Sequence, residues 1–309
     1  MNETKEQDLK KLADFIEQDR RKRVPVFWGS LIIGIVLFIL GLVLVLLGFG
    51  NENNGMVITG GIFVLLGFIG IGIAITYRNN YSKKSFEMIR QYAIKNAFPN
   101  AKFNPNVGFP LKTVMGTGFF MTPDRYYGSN FLSDTYKGIP FEKASYRLQK
   151  REVQRTGKTT TVYYIDFAVG NLIFYHLPRT FKYDLRVLEK NGMMMKPNNC
   201  IETEFIKFNE KFYTTTNSKE FAFYILTPQV QEKILNLEGM AKGTFFLALE
   251  NNLLYVAFND GGNTADMKLL QKVNPSTVLR LYNFLTLPQQ VIDILDLDGP
   301  KFQKQTEIV

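Results

Sequence analysis

Three residue types are almost missing. Cys200 is the only cysteine, His176 the only histidine and Trp28 the only tryptophan. A single cysteine excludes an internal disulfide framework and fits a reducing compartment. One cysteine and one histidine, far apart in the chain, do not make a Cys/His zinc site. Charge is the other absence. Val26–Phe49 and Met56–Tyr77 contain no Asp, Glu, Lys, Arg or His.

Those two runs are 24 and 22 residues long. As helices they reach roughly 33 to 36 Å, enough for a hydrocarbon core of about 30 Å. A buried core helix needs only about 10 to 14 apolar residues. The long acid-containing arm in front argues against a cleaved signal peptide. The expectation is a transmembrane hairpin: an arm at 1–25, spans at 26–49 and 56–77, an external loop at 50–55, and a cytosolic domain at 78–309. Basic residues set its orientation. Lys5, Lys10, Lys11, Arg20, Arg21, Lys22 and Arg23 precede the first span, and Arg78, Lys83, Lys84, Arg90 and Lys95 follow the second. The connecting loop has no basic residue and one acid, Glu52. The positive-inside rule then places both termini in the cytoplasm of a multi-pass cell-membrane protein. Phe27, Trp28, Tyr77 and Tyr81 stand where interface anchors belong.

Small residues recur every seven positions, at Gly34, Gly41 and Gly48 and at Gly60, Gly67 and Ala74. Equal depth in an antiparallel hairpin pairs 48 with 60, 41 with 67 and 34 with 74, a seam along which backbones approach closely. The plainer explanation is that glycine is common in membrane helices.

The chain has 37 basic and 28 acidic residues, and seven of each precede Arg78, so the net +9 lies beyond it. A basic domain tethered near an anionic leaflet is drawn to it. A solvated surface with ordinary bias is the competing explanation. The arm itself has Leu9, Leu12, Ala13 and Ile16 at helical spacing, with Thr4 and Gln7 as a capping box, and ends in the cluster Arg20–Arg23. The cluster either touches lipid headgroups or is simply the orientation signal.

Beyond the spans, Ser82 is placed to cap a helix reaching Ala97. Strands are expected at Val114–Met121, Lys143–Val153, Thr159–Val169, Leu172–Leu177, Ile201–Phe208, Phe212–Thr216, Thr244–Leu249 and Leu253–Phe258. Pro228, Pro275 and Pro288 each open a helix. The pattern predicts an α+β domain with mainly antiparallel sheet and flanking helices. The turn at Arg155–Lys158 makes a basic-tipped hairpin with Lys150, Arg151, Arg155 and Lys158.

Most chemical motifs fail on spacing. Gly157-Lys158-Thr159 lacks the upstream glycine of a phosphate loop, since position 152 is Glu152, and a strand follows it. Gly116-Thr117-Gly118 has Met121 where a dinucleotide fingerprint needs glycine. Asn259–Asn263 resembles part of a calcium loop but has Gln271 at the closing position. No catalytic, cofactor or metal residue is assigned, and no cofactor is expected. Arg147 and the hairpin cations are able to bind phosphate, but a basic hairpin beside a membrane explains them as well, so no nucleic acid is expected.

Three stretches resemble a known family: SFEMIRQYAIKNAFPNAKFNPNVGF after the spans, FIKFNEKFYTTTNSKEFAFYILTP from Phe205 to Pro228, and LLYVAF. They are similar to a bacterial membrane family known as domain of unknown function 3137, over about Ser82–Phe258. The resemblance implies an integral membrane protein with a cytosolic domain and no established activity. It transfers no catalytic residues.

The reading favoured by the sequence is a membrane-anchored interaction or scaffold module. Its lipid-facing candidates are Arg20, Arg21, Lys22, Arg23, Lys83, Lys84, Lys150, Arg151, Arg155 and Lys158, and its partners are the bilayer or a protein at the cytoplasmic face. The alternatives are a membrane-surface enzyme with an Asp/Glu/Lys/Tyr site, and a small oligomeric pore or transporter subunit, against which the absence of intramembrane charge counts.

Overall fold

The computed structural model describes residues 3–157, 159–192, 196–240, 243–261 and 267–303. It divides into two compact units, one of residues 1–93 with 265–283 and one of residues 94–264 with 284–309.

The first unit is built on two long helices, α1 (Glu3–Gly50) and α2 (Asn54–Ala97). Leu- and Ile-rich sequence without breakers carries each helix well past its apolar run. Pro25 lies inside α1, so arm and apolar segment form one continuous helix. No new helix starts at Ser82, because α2 simply continues through it. The Thr4 side chain of the expected capping box lies outside the described residues. Asn53 Oδ1 accepts the Met56 N–H at 3.2 Å and starts α2.

The packing of the hairpin is apolar outside and small inside. Gly34, Gly41, Gly48, Gly60, Gly67 and Ala74 are buried, while Ile33, Leu46, Phe49, Ile58 and Leu65 are more than 60% exposed. Only 17% of each apolar window is buried, which is not the profile of a core helix. Both helices are long and apolar enough to cross a membrane. The glycines interleave instead of facing one another. A Cβ on Gly41 would stand 2.6 Å from Val64 N and 2.7 Å from Gly60 O, and one on Gly34 would meet Ile71 N and Gly67 O. The expected pairing of 41 with 67 is therefore corrected: Gly41 fits between Gly60 and Val64, and Gly67 between Gly34 and Phe38. A knob fits a gap better than it fits another knob. Phe27 and Tyr81 continue this buried line and are 6% and 0% exposed, so neither is an outward anchor.

The second unit is a nine-stranded antiparallel sheet with flanking helices. Its strands are β1 (Lys102–Asn104), β2 (Arg125–Tyr136), β3 (Ile139–Thr156), β4 (Thr159–His176), β5 (Leu185–Glu189), β6 (Cys200–Ile201), β7 (Phe212–Thr216), β8 (Thr244–Glu250) and β9 (Leu253–Asn259). The spatial order is β1-β2-β3-β4-β9-β8-β5-β7-β6. Lys137 and Gly138, both with positive φ, make the two-residue turn from β2 to β3. The helices are α3 (Leu111–Gly116), α4 (Ile206–Lys211), α5 (Lys219–Ile225), α6 (Pro228–Met240), α7 (Pro275–Leu285) and α8 (Leu287–Leu295). Of these, α7 crosses from the first unit into the second.

Alternation along the strands gives the sheet two apolar faces. On one, Phe141, Ile173, Tyr175, Val187, Phe245 and Val256 pack with Phe208 of α4, Ala222 of α5, Ile234 of α6 and Val291 of α8. On the other, Ala144, Leu148, Leu172, Phe246 and Ala257 lie under Phe109, Val114 and Phe119. Each such side chain removed from water contributes about 1.5–3 kcal/mol.

Four expected strands change. Val114–Met121 holds the end of α3 and a loop. Ile201–Phe208 is a strand only at its first residue, because Asn209 Oδ1 accepts the Thr203 N–H at 2.9 Å and turns the chain into α4. The strands expected at 159–169 and 172–177 are one strand, β4.

Candidate interaction site

The most prominent surface feature of the second unit is the far end of the β3–β4 hairpin. The two strands pair from Phe141–Tyr175 to Thr156–Thr159, with one bulge beside Leu148. Their neighbours stop early. β2 ends at Arg125, opposite Gln149, and β9 joins β4 only from Asn171 to His176. Beyond those points the hairpin is a free two-stranded ribbon, closed by Gly157 at φ +60°.

Strand alternation sorts the ribbon's side chains. Arg151, Val153 and Arg155 share a face with their partners Tyr164, Val162 and Thr160. Arg125 extends that face from β2, and its guanidinium lies 3.4 Å from the centroid of the Tyr164 ring. Arg151 and Arg155 have no ion pair among the described residues. The opposite face carries Lys150, Glu152 and Gln154, and Lys150 Nζ is 3.7 Å from Asp124 Oδ2. The Arg151 backbone N–H donates to Asp124 and, with Lys150, holds that carboxyl below its ordinary range. Val153, Val162, Tyr163 and Ile165 are each 40–46% exposed. The surface is thus basic and apolar together. Lys158 lies outside the described residues. Arg125 and Asp124 belong to the site but were hidden by sequence, since polar, glycine-containing β2 shows no clean alternation.

The arm cluster divides. Arg20 donates twice to Glu17, at 2.7 and 2.8 Å, and once to the Leu269 carbonyl at 3.3 Å. Arg23 pairs with Asp19 at 2.7 Å and stands over the Tyr77 ring. Both therefore turn towards protein partners, whereas Arg21 is 69% exposed despite its bond to Glu17. Lys22, Lys83 and Lys84 are exposed. Glu17 also accepts the Val273 N–H at 3.0 Å, and these bonds, Arg20 first, pull its carboxyl down to about 2. In this way Glu17 ties the return segment, with buried Met267, Leu269, Val278 and Tyr282, to the base of the hairpin. A cleft of about 320 Å³ in that segment is lined by Lys268, Lys272, Ser276, Thr277 and Arg280.

No acid–base relay is assembled at the single histidine. His176 Nε2 is 4.0 Å from Glu142 Oε2, and both side chains are about two-fifths exposed, not packed. Ser133 lies opposite Glu142 on the far side of β3 from β4, about 10 Å from the strand that holds His176. No group of three His, Cys, Asp or Glu able to hold a metal occurs among the described residues. Lys143 is buried, at 8% exposure, donates to the Phe284 carbonyl at 3.4 Å, and is pushed down to about 8 by burial.

Comparison with known proteins bears on the sheet. Residues 169–297 match the model of a family described as protein of unknown function (DUF3137). This segment is similar to the domain of that family. It starts inside β4, so it takes in β5–β9 and α4–α8 and leaves out the apolar helices and most of the ribbon. The resemblance seen in the sequence is upheld, though over a different span. No curated protein matches the chain. Among solved structures, the crystal structure of the mycobacterial trehalose monomycolate transport factor A, TtfA, is similar at 12% identity and a TM-score of 0.36. That likeness covers 69% of this chain and 95% of the other, and is too loose to carry an argument about function.

Proposed function

We propose that this chain is a membrane-anchored interaction module. The apolar hairpin spans the bilayer with both termini in the cytoplasm, and the ribbon is the contact element that meets an anionic surface there. One observation carries the reading. Arg125, Arg151 and Arg155 share an exposed face with Val153, Val162 and Tyr164, and none of the three arginines has an ion pair among the described residues. Cations interleaved with aliphatic and aromatic groups suit a lipid headgroup layer, where the ring and methyl groups enter and the charges stay at phosphate level. Each basic group near an anionic surface contributes about 1 kcal/mol, screened by salt. Exposed Arg21, Lys22, Lys83 and Lys84, and the cleft cations Lys268, Lys272 and Arg280, support the same attraction from the first unit.

The test uses the full chain in lipid nanodiscs, with Cys200→Ser and an environment-sensitive dye on Thr156→Cys at the ribbon tip. Anionic discs should shift the dye emission relative to neutral discs. Salt should reverse the shift, and joint change of Arg125, Arg151 and Arg155 to Gln should abolish it. Identical emission in both discs at low salt would overturn the lipid reading and leave a protein partner as the occupant.

A further inference from the structure

The two outer edges of the ribbon are not alike. On β4, Thr159–Ile165 pairs with β3 on one side and with no strand on the other among the described residues. Six of those seven residues are exposed. Their sequence is TTTVYYI, without charge, proline or glycine. All are strand formers, and alternate residues turn N–H and C=O outward. Sheets ordinarily guard such an edge with charge, proline, a bulge or a very short strand. The sheet's own ends follow that rule, with β1 of three residues and β6 of two. So does the β3 edge of the ribbon, which carries Lys150, Arg151, Glu152 and Arg155. Only the β4 edge is left unguarded.

We propose that Thr159–Ile165 pairs antiparallel with the same segment of a second copy. Composition selects this occupant. The stretch has no charge to repel its twin. Full overlap puts Val162 opposite Val162, Thr161 opposite Tyr163 and Thr160 opposite Tyr164. Aliphatic and β-branched–aromatic pairs of this kind are favourable across antiparallel strands. Pairing through β3 instead would crowd three cations against three. The symmetry is a two-fold axis normal to the ribbon, passing at Val162. Each ribbon face then continues across the axis, so both copies present Arg125, Arg151 and Arg155 on the same side. A seven-residue edge supplies few hydrogen bonds, each worth about 0.5–1.5 kcal/mol net. Chains held in one membrane gain effective concentration, which makes a modest contact sufficient. The inference stands on the edge and not on the lipid reading.

The experiment uses the full chain in liposomes with Cys200→Ser. Under mild oxidation, Val162→Cys should crosslink to its own copy, and Thr161→Cys should crosslink only when mixed with Tyr163→Cys, since opposed strand positions lie within disulfide reach. Energy transfer between labelled chains gives a second readout. Val162→Lys and Val162→Glu each set like charges directly opposite, and should each weaken association by about tenfold. Mixing the two should restore it. Val162 is exposed on the ribbon, so neither change disturbs the core, and unchanged circular dichroism verifies this. A monomeric parent chain, association indifferent to both charges, or crosslinking through Val153→Cys in place of Val162→Cys would each overturn the proposal. If it fails while the Thr156 dye still answers to anionic lipid, the membrane-contact reading stands without the dimer.

Discussion

The glycine seam permits a sharp test, because glycines inside it have matched controls on the same helices. Replacing Gly41 by alanine adds one methyl group that would lie 2.6 Å from Val64 N and 2.7 Å from Gly60 O. Those are backbone atoms and cannot rotate away. Ordinary contact needs at least 3.4 Å, so the helices must part by about 1 Å, losing close packing on both sides of the position. Overpacking of this kind costs about 1–3 kcal/mol. A methyl added at Gly61 or Gly72 meets nothing within 4 Å. There the change only removes glycine's entropy penalty, a gain of up to about 1 kcal/mol. The two classes should therefore differ by about 1–4 kcal/mol. Reversible unfolding of the full chain in mixed micelles, followed by energy transfer between dyes at the two helix ends, reads the difference. Gly41→Ala, Gly60→Ala and Gly67→Ala should fall below the parent, and Gly61→Ala and Gly72→Ala should equal or exceed it. Equal losses at Gly41 and Gly61 would refute interleaved packing.

Cysteines at positions 41 and 64 should crosslink within one chain under oxidation, while cysteines at 41 and 67 should not; efficient 41–67 crosslinking would restore the face-to-face register. Glu17 titrates near 2 in the fold against 4.5 when free, so its contribution is present above 4.5 and lost as the pH falls towards 2. Hydrogen exchange at the Val273 amide should accelerate over that window in the parent, and Glu17→Gln should show fast exchange already at neutral pH. Lys143 is depressed to about 8 from 10.5, so the unfolded chain holds the extra proton between those values and stability should rise with pH from about 8 to 10. Chemical denaturation across that range should show the rise in the parent and a flattened response in Lys143→Met.

What could be read from residues alone divides along physical lines. The apolar helices were legible because two uncharged runs of more than 20 residues admit few other structures. Helices α6, α7 and α8 announced themselves through Pro228, Pro275 and Pro288, and the two main hairpins through β-branched runs around short turns. Glycine period showed which residues line the seam, but not their register, which depends on how a Cβ-less position fits between two neighbours across the gap. Val114 looked like strand because it is apolar, and it is fully buried, yet Pro110 starts a short helix there. Arg20 and Arg23 counted as lipid-facing candidates, although Glu17 and Asp19 stand three and four residues before them, the spacing at which side chains meet on a helix. Arg125 escaped notice altogether, since its place beside Tyr164 is set by pairing between strands far apart in sequence.

The unbroken course of α2 makes the first unit behave like a keyed shaft. Its buried line runs through Gly60, Gly67 and Ala74 and continues through Tyr81, Ser85, Ile89 and Ala93. No swivel separates the apolar part from the part beyond it, so any turn of the one about its axis turns the other by the same angle. Inserting a single residue near Arg78 would rotate everything after it by about 100° and carry Tyr81, Ser85 and Ile89 out of their contacts. Inserting seven would lengthen the shaft by about 10 Å and leave the phase within about 20°. The helix therefore tolerates change in length far better than change in angle, and what it can transmit along its axis is rotation.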